Sequence, residues 1–261
     1  MAICEPPVRL WRDGSVAHLQ LARPAALNAI DVAAAEAFSD SCAQLARMRD
    51  VRAVVVSGEG NSFCAGGDLN EFRRNRSAGK SLIDPLHSGL SRLASLDAPV
   101  IASLQGNVAG AGMSLALACD FALAASDTRF NLAYVRIGAS CDGGASWMLP
   151  RLVGLRKALE IALLADTLDA AAALELGLVN RVLAPDALQG ETADLARRLS
   201  SGPTVAMGHI KRLMRESFFR DFKGQLEAER AAFLRNAGTR DFGEGLSAFF
   251  ARRPPSFEGS W

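Results

Sequence analysis

The chain has 261 residues, of which 49% are hydrophobic and 22% are charged, and its formal net charge is +1. This composition is typical of a globular protein with a sizeable core, and the near-neutral charge excludes a strongly basic nucleic-acid surface or a polybasic membrane anchor. No stretch approaches the roughly 20 apolar residues of a membrane-spanning helix, and no signal peptide is predicted.

The cysteines are odd in number and scattered along the chain. They are Cys4, Cys42, Cys64, Cys119 and Cys141. Because no pair has the spacing of a metal site, we predict reduced thiols in a cytoplasmic protein that holds no metal.

The first half of the chain alternates apolar strand-like runs with helical patterns. Residues 8–21 alternate in polarity around Asp13-Gly14, which predicts a β-hairpin. Asp31 is predicted to cap a helix whose apolar face runs to Met48. Further strands are predicted over 51–56, 99–104 and 121–124, further helices over 83–96 and 111–118, and a mobile loop or frayed helix end over 73–82. This order predicts an α/β fold with parallel strands.

From residue 186 onward the pattern is almost entirely helical. The predicted helices cover 186–199, 203–219, 222–235 and 239–250. We therefore divide the chain into a core over residues 1–200, which carries the functional turns, and a helical C-terminal region over residues 201–261.

Two glycine-rich turns each lie between a strand-like run and a helical pattern. They are Ser62-Phe63-Cys64-Ala65-Gly66-Gly67-Asp68-Leu69 and Gly106-Asn107-Val108-Ala109-Gly110-Ala111-Gly112-Met113-Ser114-Leu115. One backbone N–H from each turn could hold a developing oxyanion, which predicts carbonyl chemistry without metal or cofactor. The alternative is that the first turn, capped by Asp68, serves folding alone. Cys64 is predicted to be a packed thiol, because no histidine lies near it in the sequence.

A third segment runs from Ile137 to Trp147 and contains Asp142 followed by two glycines and an apolar helical pattern. Asp142 could cap that helix. It could instead be a carboxylate in an apolar pocket that serves as a general base. Both interpretations stay open on local sequence alone.

Nearly the whole chain resembles the crotonase superfamily, which is the enoyl-CoA hydratase/isomerase family. The resemblance rests on five segments in register: residues 21–29 (LARPAALNA), 63–69 (FCAGGDL), 115–120 (LALACD), 149–154 (LPRLVG) and 173–179 (ALELGLV). It implies a spiral of ββα units followed by a helical region that packs homotrimers or hexamers. It also implies an acyl-CoA thioester as substrate, with no cofactor beyond the coenzyme A of that substrate.

The resemblance also assigns site residues by position. The oxyanion donors would be the N–H groups of Gly67 and Ala111. Coenzyme A would lie against Ala26, Leu27, Ala65, Asp68 and Leu69, and also against Phe249 and Arg252, which could belong to a neighbouring subunit. The acyl pocket would be shaped by Ser114, Phe130, Tyr134 and Trp147. His87 could border that pocket, and Arg73, Arg74 and Arg76 could meet CoA phosphates, although a solvated loop face explains these arginines as well.

The reaction is not decided by the family. Its hydratases use two glutamates, and the matching positions here hold Ser114 and Tyr134. Asp142 falls where isomerases place their acid/base group, and the chain most resembles the isomerases of phenylacetate degradation. One carboxylate suffices for a 1,3-proton shift, so we predict an Asp142-dependent enoyl-CoA isomerase. Hydration with Asp142 as sole base, dehalogenase- or hydrolase-type nucleophilic use of Asp142, and a non-catalytic CoA-ester binder remain alternatives.

Overall fold

A six-stranded sheet forms the centre of the molecule in the computed structural model, which describes residues 5–259. Its spatial order is β1-β2-β3-β4-β6-β9, built from β1 (Val8–Asp13), β2 (Val16–Leu21), β3 (Ala53–Gly58), β4 (Val100–Leu104), β6 (Phe121–Ala125) and β9 (Arg181–Leu183). The β1–β2 hairpin is antiparallel and every other pair is parallel. The predicted hairpin and the predicted parallel α/β sheet are therefore confirmed. Cys4 lies outside the described residues.

A smaller sheet lies beside the first and was not predicted. It contains β5 (Asn107–Ala109), β7 (Arg129–Asn131) and β8 (Leu168–Asp169) in the order β5-β7-β8. These strands have two or three residues each, too few for an alternating pattern to mark them in the sequence. Two isolated parallel bridges, Cys64 to Val108 and Ile30 to Gly67, extend this sheet to the first glycine-rich turn.

The helices cover the sheets and make up the C-terminal end of the chain. Their bounds are α1 (Val32–Leu45), α2 (Leu69–Arg74), α3 (Gly79–Ser95), α4 (Ala111–Ala118), α5 (Ala145–Leu164), α6 (Ala170–Glu175), α7 (Leu188–Ser200), α8 (Thr204–Glu216), α9 (Phe222–Ala237) and α10 (Arg240–Ala251). The N-cap prediction for α1 is confirmed, because the Asp31 carboxylate accepts a hydrogen bond of 2.8 Å from the Ala34 N–H. Helix α5 is broken at Gly154, whose backbone is not helical.

The prediction of a mobile loop or frayed helix end over 73–82 is wrong for most of that segment, which is helical. Helix α2 continues to Arg74, and α3 already begins at Gly79 and runs through Pro85. A proline inside a helix removes one hydrogen bond and clashes with the preceding turn. The buried residues Leu82, Leu86, Leu90 and Leu93, which lie on one face of α3, outweigh that cost because they pack into the main core.

The C-terminal helices are joined to the core through a buried ionic cluster. Asp120 follows α4, and its carboxylate lies 2.7 Å from Lys211 Nζ and 2.8 Å from an Arg215 nitrogen, both on α8. The same carboxylate accepts a hydrogen bond from the Val100 N–H at the start of β4. Helix α8 is therefore anchored at the beginning of strand β4. Among the described residues, no helix is both long enough and apolar enough to cross a bilayer.

Candidate active site

The two glycine-rich turns lie next to each other in the fold. The chain at Cys64 runs parallel to β5, with its N–H bonded to the Asn107 carbonyl at 3.0 Å and its carbonyl bonded to the Ala109 N–H at 2.9 Å. Gly66 has φ +106°, and a Cβ there would lie 3.1 Å from the Ala109 oxygen. Glycine is required at this position both for its backbone conformation and for the close approach. This strand pairing places Gly67 and Ala111 at the wall of the same cavity.

The N–H groups of Gly67 and Ala111 are available for a ligand. Within residues 5–259, neither N–H donates a hydrogen bond to another protein atom. Ala111 is the first residue of α4, so its N–H lies at the positive end of the helix dipole. The arrangement supplies two backbone donors that can stabilise an oxyanion.

A cavity of about 520 Å³ opens in front of these two residues. Its polar lining includes Ser140, Tyr134 and Asp142, and the backbone of the two turns forms another part of the wall. The remaining wall is largely apolar and includes Leu69, Phe72, Leu82, Ile83 and Ile137. Of the described residues that line this cavity, only Asp142 carries a carboxylate. We call this space the acyl cavity.

Asp142 does not cap the helix that follows it. The N-cap position of α5 is Gly144, which makes no side-chain capping bond, whereas the Asp142 carboxylate accepts a short hydrogen bond from the Tyr134 hydroxyl. The Tyr134 hydroxyl also lies 3.1 Å from Ser114 Oγ, and Ser114 itself is fully buried on α4. The helix-cap interpretation of Asp142 is therefore wrong. Ser114 and Tyr134 therefore place two hydroxyl groups beside Asp142, one on its backbone carbonyl and one on its carboxylate.

The Tyr134 phenol is held in its protonated form. Burial raises the pKa of Tyr134 well above its ordinary value, and the charge of Asp142 and the hydrogen bond to its carboxylate raise it further. Throughout the neutral range the phenol can therefore only donate to Asp142. The short turn Ala133–Ile137 carries this tyrosine and leads directly into the Asp142 loop.

This protonation state can be measured because Tyr134 is the only tyrosine of the chain. In an alkaline titration followed by tyrosinate absorbance, we expect ionisation well above the ordinary pKa of about 10. Asp142→Asn should lower the pH of ionisation, because it removes the charge that disfavours tyrosinate. Tyr134→Phe supplies the blank, and circular dichroism verifies that the protein is folded at each pH. Ionisation near pH 10, or a titration that is insensitive to Asp142→Asn, would contradict the observed contact.

The residues predicted to meet coenzyme A from the N-terminal segment surround the first turn. Leu27 accepts a 3.0 Å hydrogen bond from the Ala65 N–H, and Ala26 precedes it in a short helical turn. Ala65 and Leu69 line the acyl cavity. Asp68 caps α2 through the Asn70 N–H, and its carboxylate lies 3.2 Å from Arg23, so its observed partners are structural.

Five other predicted site residues do not line the acyl cavity within one copy of the chain, and the first of them is Ser114, which is buried on α4. Phe130 is buried in β7, and Trp147 lines a different cavity, where Arg151 lies over its ring and Phe219 stacks on it. Phe249 and Arg252 lie at the exposed end of α10. The side chain of Trp147 lies outside the acyl cavity because α5 begins at Ala145 and turns it towards α8 and the turn that follows α8.

Cys64 and the three arginines of residues 73–76 lie outside the acyl cavity. Cys64 is fully buried and burial raises its pKa to about 12, so the predicted packed thiol agrees with its environment. Arg73, Arg74 and Arg76 are exposed and do not line the acyl cavity. Among residues 5–259, no cluster of three or more His, Cys, Asp or Glu side chains could hold a metal ion.

Sequence reasoning missed two contributions of α3. Leu82 and Ile83 form part of the acyl-cavity wall. Leu82 ends the predicted loop or frayed helix end, and Ile83 begins the predicted helix over 83–96. His87, one turn further along, accepts a 3.0 Å hydrogen bond from the Gly143 N–H through Nε2. The helical spacing of the buried leucines was the available signal for the wall. No sequence signal connects His87 with a loop 56 residues away.

Comparison with known proteins agrees with this fold and site. Residues 12–260 match the enoyl-CoA hydratase/isomerase family, to which the chain therefore belongs. The 1,2-epoxyphenylacetyl-CoA isomerase of Escherichia coli is 35% identical over 94% of this chain and 95% of its own length. The short-chain-enoyl-CoA hydratase of Clostridium acetobutylicum is 31% identical over 94% and 95%. A crystal structure of an enoyl-CoA hydratase from Polaromonas superposes with a TM-score of 0.91 at 34% identity, covering 96% of this chain and 99% of that one. The predicted family and fold are confirmed.

Proposed function

We propose that this enoyl-CoA hydratase/isomerase family enzyme is an Asp142-dependent enoyl-CoA isomerase that shifts a carbon–carbon double bond next to a thioester. The observation that carries the proposal is the single carboxylate among the described residues of the acyl cavity. An isomerase can use one group twice, first as base and then as acid. Similarity to the isomerase of E. coli supports the same choice, whereas similarity to the Clostridium hydratase makes a direct test necessary.

In the proposed reaction, the thioester carbonyl oxygen accepts hydrogen bonds from the N–H groups of Gly67 and Ala111. The Asp142 carboxylate removes a proton from C2 of a 3-enoyl-CoA, and the electron pair moves into a dienolate held by these two donors. The protonated Asp142 then returns the proton to C4, which gives the 2-enoyl-CoA. No atom is gained or lost, and the carboxylate is regenerated.

The surroundings of Asp142 suit this double use. The Tyr134 hydroxyl donates to one carboxylate oxygen, Oδ1, which leaves Oδ2 to exchange the substrate proton. The apolar walls from α2 and α3 exclude water from the dienolate. Without water, the attraction between the dienolate oxygen and the two N–H donors is stronger. Hydration would require one group to activate water and another to protonate C2. The hydroxyl protons of Ser114 and Tyr134 are already donated to the Asp142 carbonyl and carboxylate.

Coenzyme A binding is proposed along Ala26, Leu27, Ala65, Asp68 and Leu69, which adjoin the first turn. We propose that Phe249 and Arg252 complete the site of a neighbouring copy in a homotrimer or hexamer. The support is the exposure of large apolar side chains on the C-terminal helices, among them Met214, Phe222, Phe233, Phe249 and Phe250. Such a concentration of exposed apolar surface is typical of an interface. In this proposal residues 1–200 form the catalytic core and residues 201–261 the association region.

The deciding experiment offers the enzyme two substrates in parallel. With a 3-enoyl-CoA we expect a rise of the conjugated enoyl-thioester absorbance as the 2-enoyl product forms. With crotonyl-CoA we expect no loss of that absorbance. When the 3-enoyl-CoA is isomerised in heavy water, we expect deuterium to enter at C2 and at C4. Loss of crotonyl-CoA absorbance without isomerisation would establish the hydratase alternative. Tight CoA-ester binding without any C2 exchange would establish a pure binder.

A further inference from the structure

The peptide group that links Asp142 to Gly143 is held from both of its edges. Its carbonyl oxygen accepts a 2.9 Å hydrogen bond from Ser114 Oγ, and its N–H donates a 3.0 Å hydrogen bond to His87 Nε2. A peptide group is planar, so two bonds on opposite edges fix the orientation of the whole plane. The Asp142 Cα belongs to that plane. These two contacts therefore fix the position of the Asp142 Cα, and they limit the directions in which its carboxylate can leave the backbone.

Gly143 allows the loop that carries Asp142 to approach α4 closely. It is buried with φ +59°, and a Cβ at this position would lie only 2.8 Å from the Ser114 Cβ. Any other residue would strain the backbone and push the loop away from α4. The close contact leaves the Gly143 N–H facing α3, where the imidazole of His87 is its hydrogen-bond acceptor.

His87 is a structural partner of the loop rather than a wall of the acyl cavity. It lines a second cavity on the other side of the loop, together with Trp147 and Arg215. Since a backbone N–H can only donate, Nε2 must be the unprotonated nitrogen of the ring. Removing this acceptor would leave a buried N–H unsatisfied, and the peptide would be free to rotate about the remaining contact with Ser114.

We propose that His87 is a positioning residue that orients the Asp142 carboxylate through the Asp142–Gly143 peptide. The proposal rests on the proposed function of Asp142 as the proton-transferring group. It assigns to α3 two tasks at one site, because Leu82 and Ile83 form the cavity wall and His87 anchors the loop opposite that wall. The carboxylate is then fixed by three hydrogen-bonding side chains: His87 and Ser114 hold its backbone, and Tyr134 holds its Oδ1.

The first test compares two substitutions of His87 in the full chain. His87→Leu should lower kcat for isomerisation on the order of 10- to 10²-fold, because small displacements of a reacting group cost this much. KM should change little, since His87 does not line the acyl cavity. His87→Gln keeps an acceptor oxygen near the place of Nε2 and should recover most of kcat. Ser91→Ala, one turn along α3 in the same second cavity, is the matched control and should behave as wild type.

The second test reads the position of Asp142 without using the reaction. Tyr134 is the only tyrosine, and its ionisation responds to the nearby carboxylate. His87→Leu should lower the pH at which tyrosinate forms, whereas His87→Gln and Ser91→Ala should leave it unchanged.

The outcomes separate the two proposals. An unchanged kcat together with an unchanged Tyr134 titration in His87→Leu would overturn the positioning role. A His87→Gln variant as impaired as His87→Leu would also overturn it, because the imidazole would then supply chemistry that an amide acceptor lacks. If the wild type fails to isomerise and the tyrosine titration still shifts in His87→Leu, the positioning of Asp142 stands and the proposed reaction fails.

Discussion

Replacing Asp142 by asparagine is expected to lower kcat for double-bond isomerisation by about 10²- to 10⁴-fold, the usual contribution of a general acid–base group. The amide is isosteric with the carboxylate, and its oxygen can still accept from the Tyr134 hydroxyl. The loop should therefore keep its place while the proton acceptor is lost. Affinity for a saturated acyl-CoA, which cannot react, should stay close to that of the wild type.

The measurement is steady-state isomerisation combined with calorimetric titration of the saturated ester. Asp194→Asn is the matched control, because it makes the same change on an exposed carboxylate of α7, far from the acyl cavity. That control should retain full activity. Wild-type turnover in Asp142→Asn would remove Asp142 from the mechanism. Loss of ester binding in the same variant would indicate a structural role instead.

Replacing Ala111 by proline should lower kcat by about 10²- to 10³-fold, which corresponds to losing one oxyanion donor. Proline has no N–H, and it is tolerated at the first position of a helix, which Ala111 occupies in α4. The residue before a proline must avoid the helical region, and Gly110 satisfies this with ψ −122°. The substitution therefore removes the donor at a position where helices accept proline.

Ala111→Gly is the control for this experiment, because it keeps the N–H and changes only the methyl group. It should retain most of the activity. Thermal unfolding of both variants verifies that α4 is intact, and binding of a saturated acyl-CoA distinguishes a lost transition-state donor from a blocked cavity. A proline variant with nearly normal kcat would exclude the Ala111 N–H as an oxyanion donor. Loss of ester binding in the proline variant would mean that its ring obstructs the site.

Much of the candidate site was predictable because its essential parts are local. The glycine-rich turns indicate backbone that a ligand can approach. Asp31 and Asp68 cap their helices, as their positions in the sequence predict. The helix from Ala111 to Ala118 has the predicted bounds. Capping, turn geometry and helix periodicity all depend on residues within one or two turns, so a single segment contains the information.

The predictions for Asp142 and Trp147 could not be decided in this way. On local sequence Asp142 could equally be a helix cap, and only its contact with Tyr134 excludes that role. Trp147 shares the Asp142 segment, but its side chain packs against Phe219 and Arg151. Which direction a side chain takes from a loop depends on the elements that pack against it, and these lie far away in the sequence.

The family, the parallel α/β core and the presence of two turns that can offer backbone donors all follow from the amino-acid sequence. The folded chain was needed to reveal that the segment at Cys64 pairs with β5, so that the Gly67 and Ala111 N–H groups lie at one cavity. The hydrogen bond between His87 on α3 and the Asp142 loop likewise depends on tertiary packing. The physical reason is the range of the interactions. Propensity, capping and turn chemistry act between near neighbours in the sequence. Close packing joins segments that are far apart in the sequence, and neither segment indicates which partner it will contact.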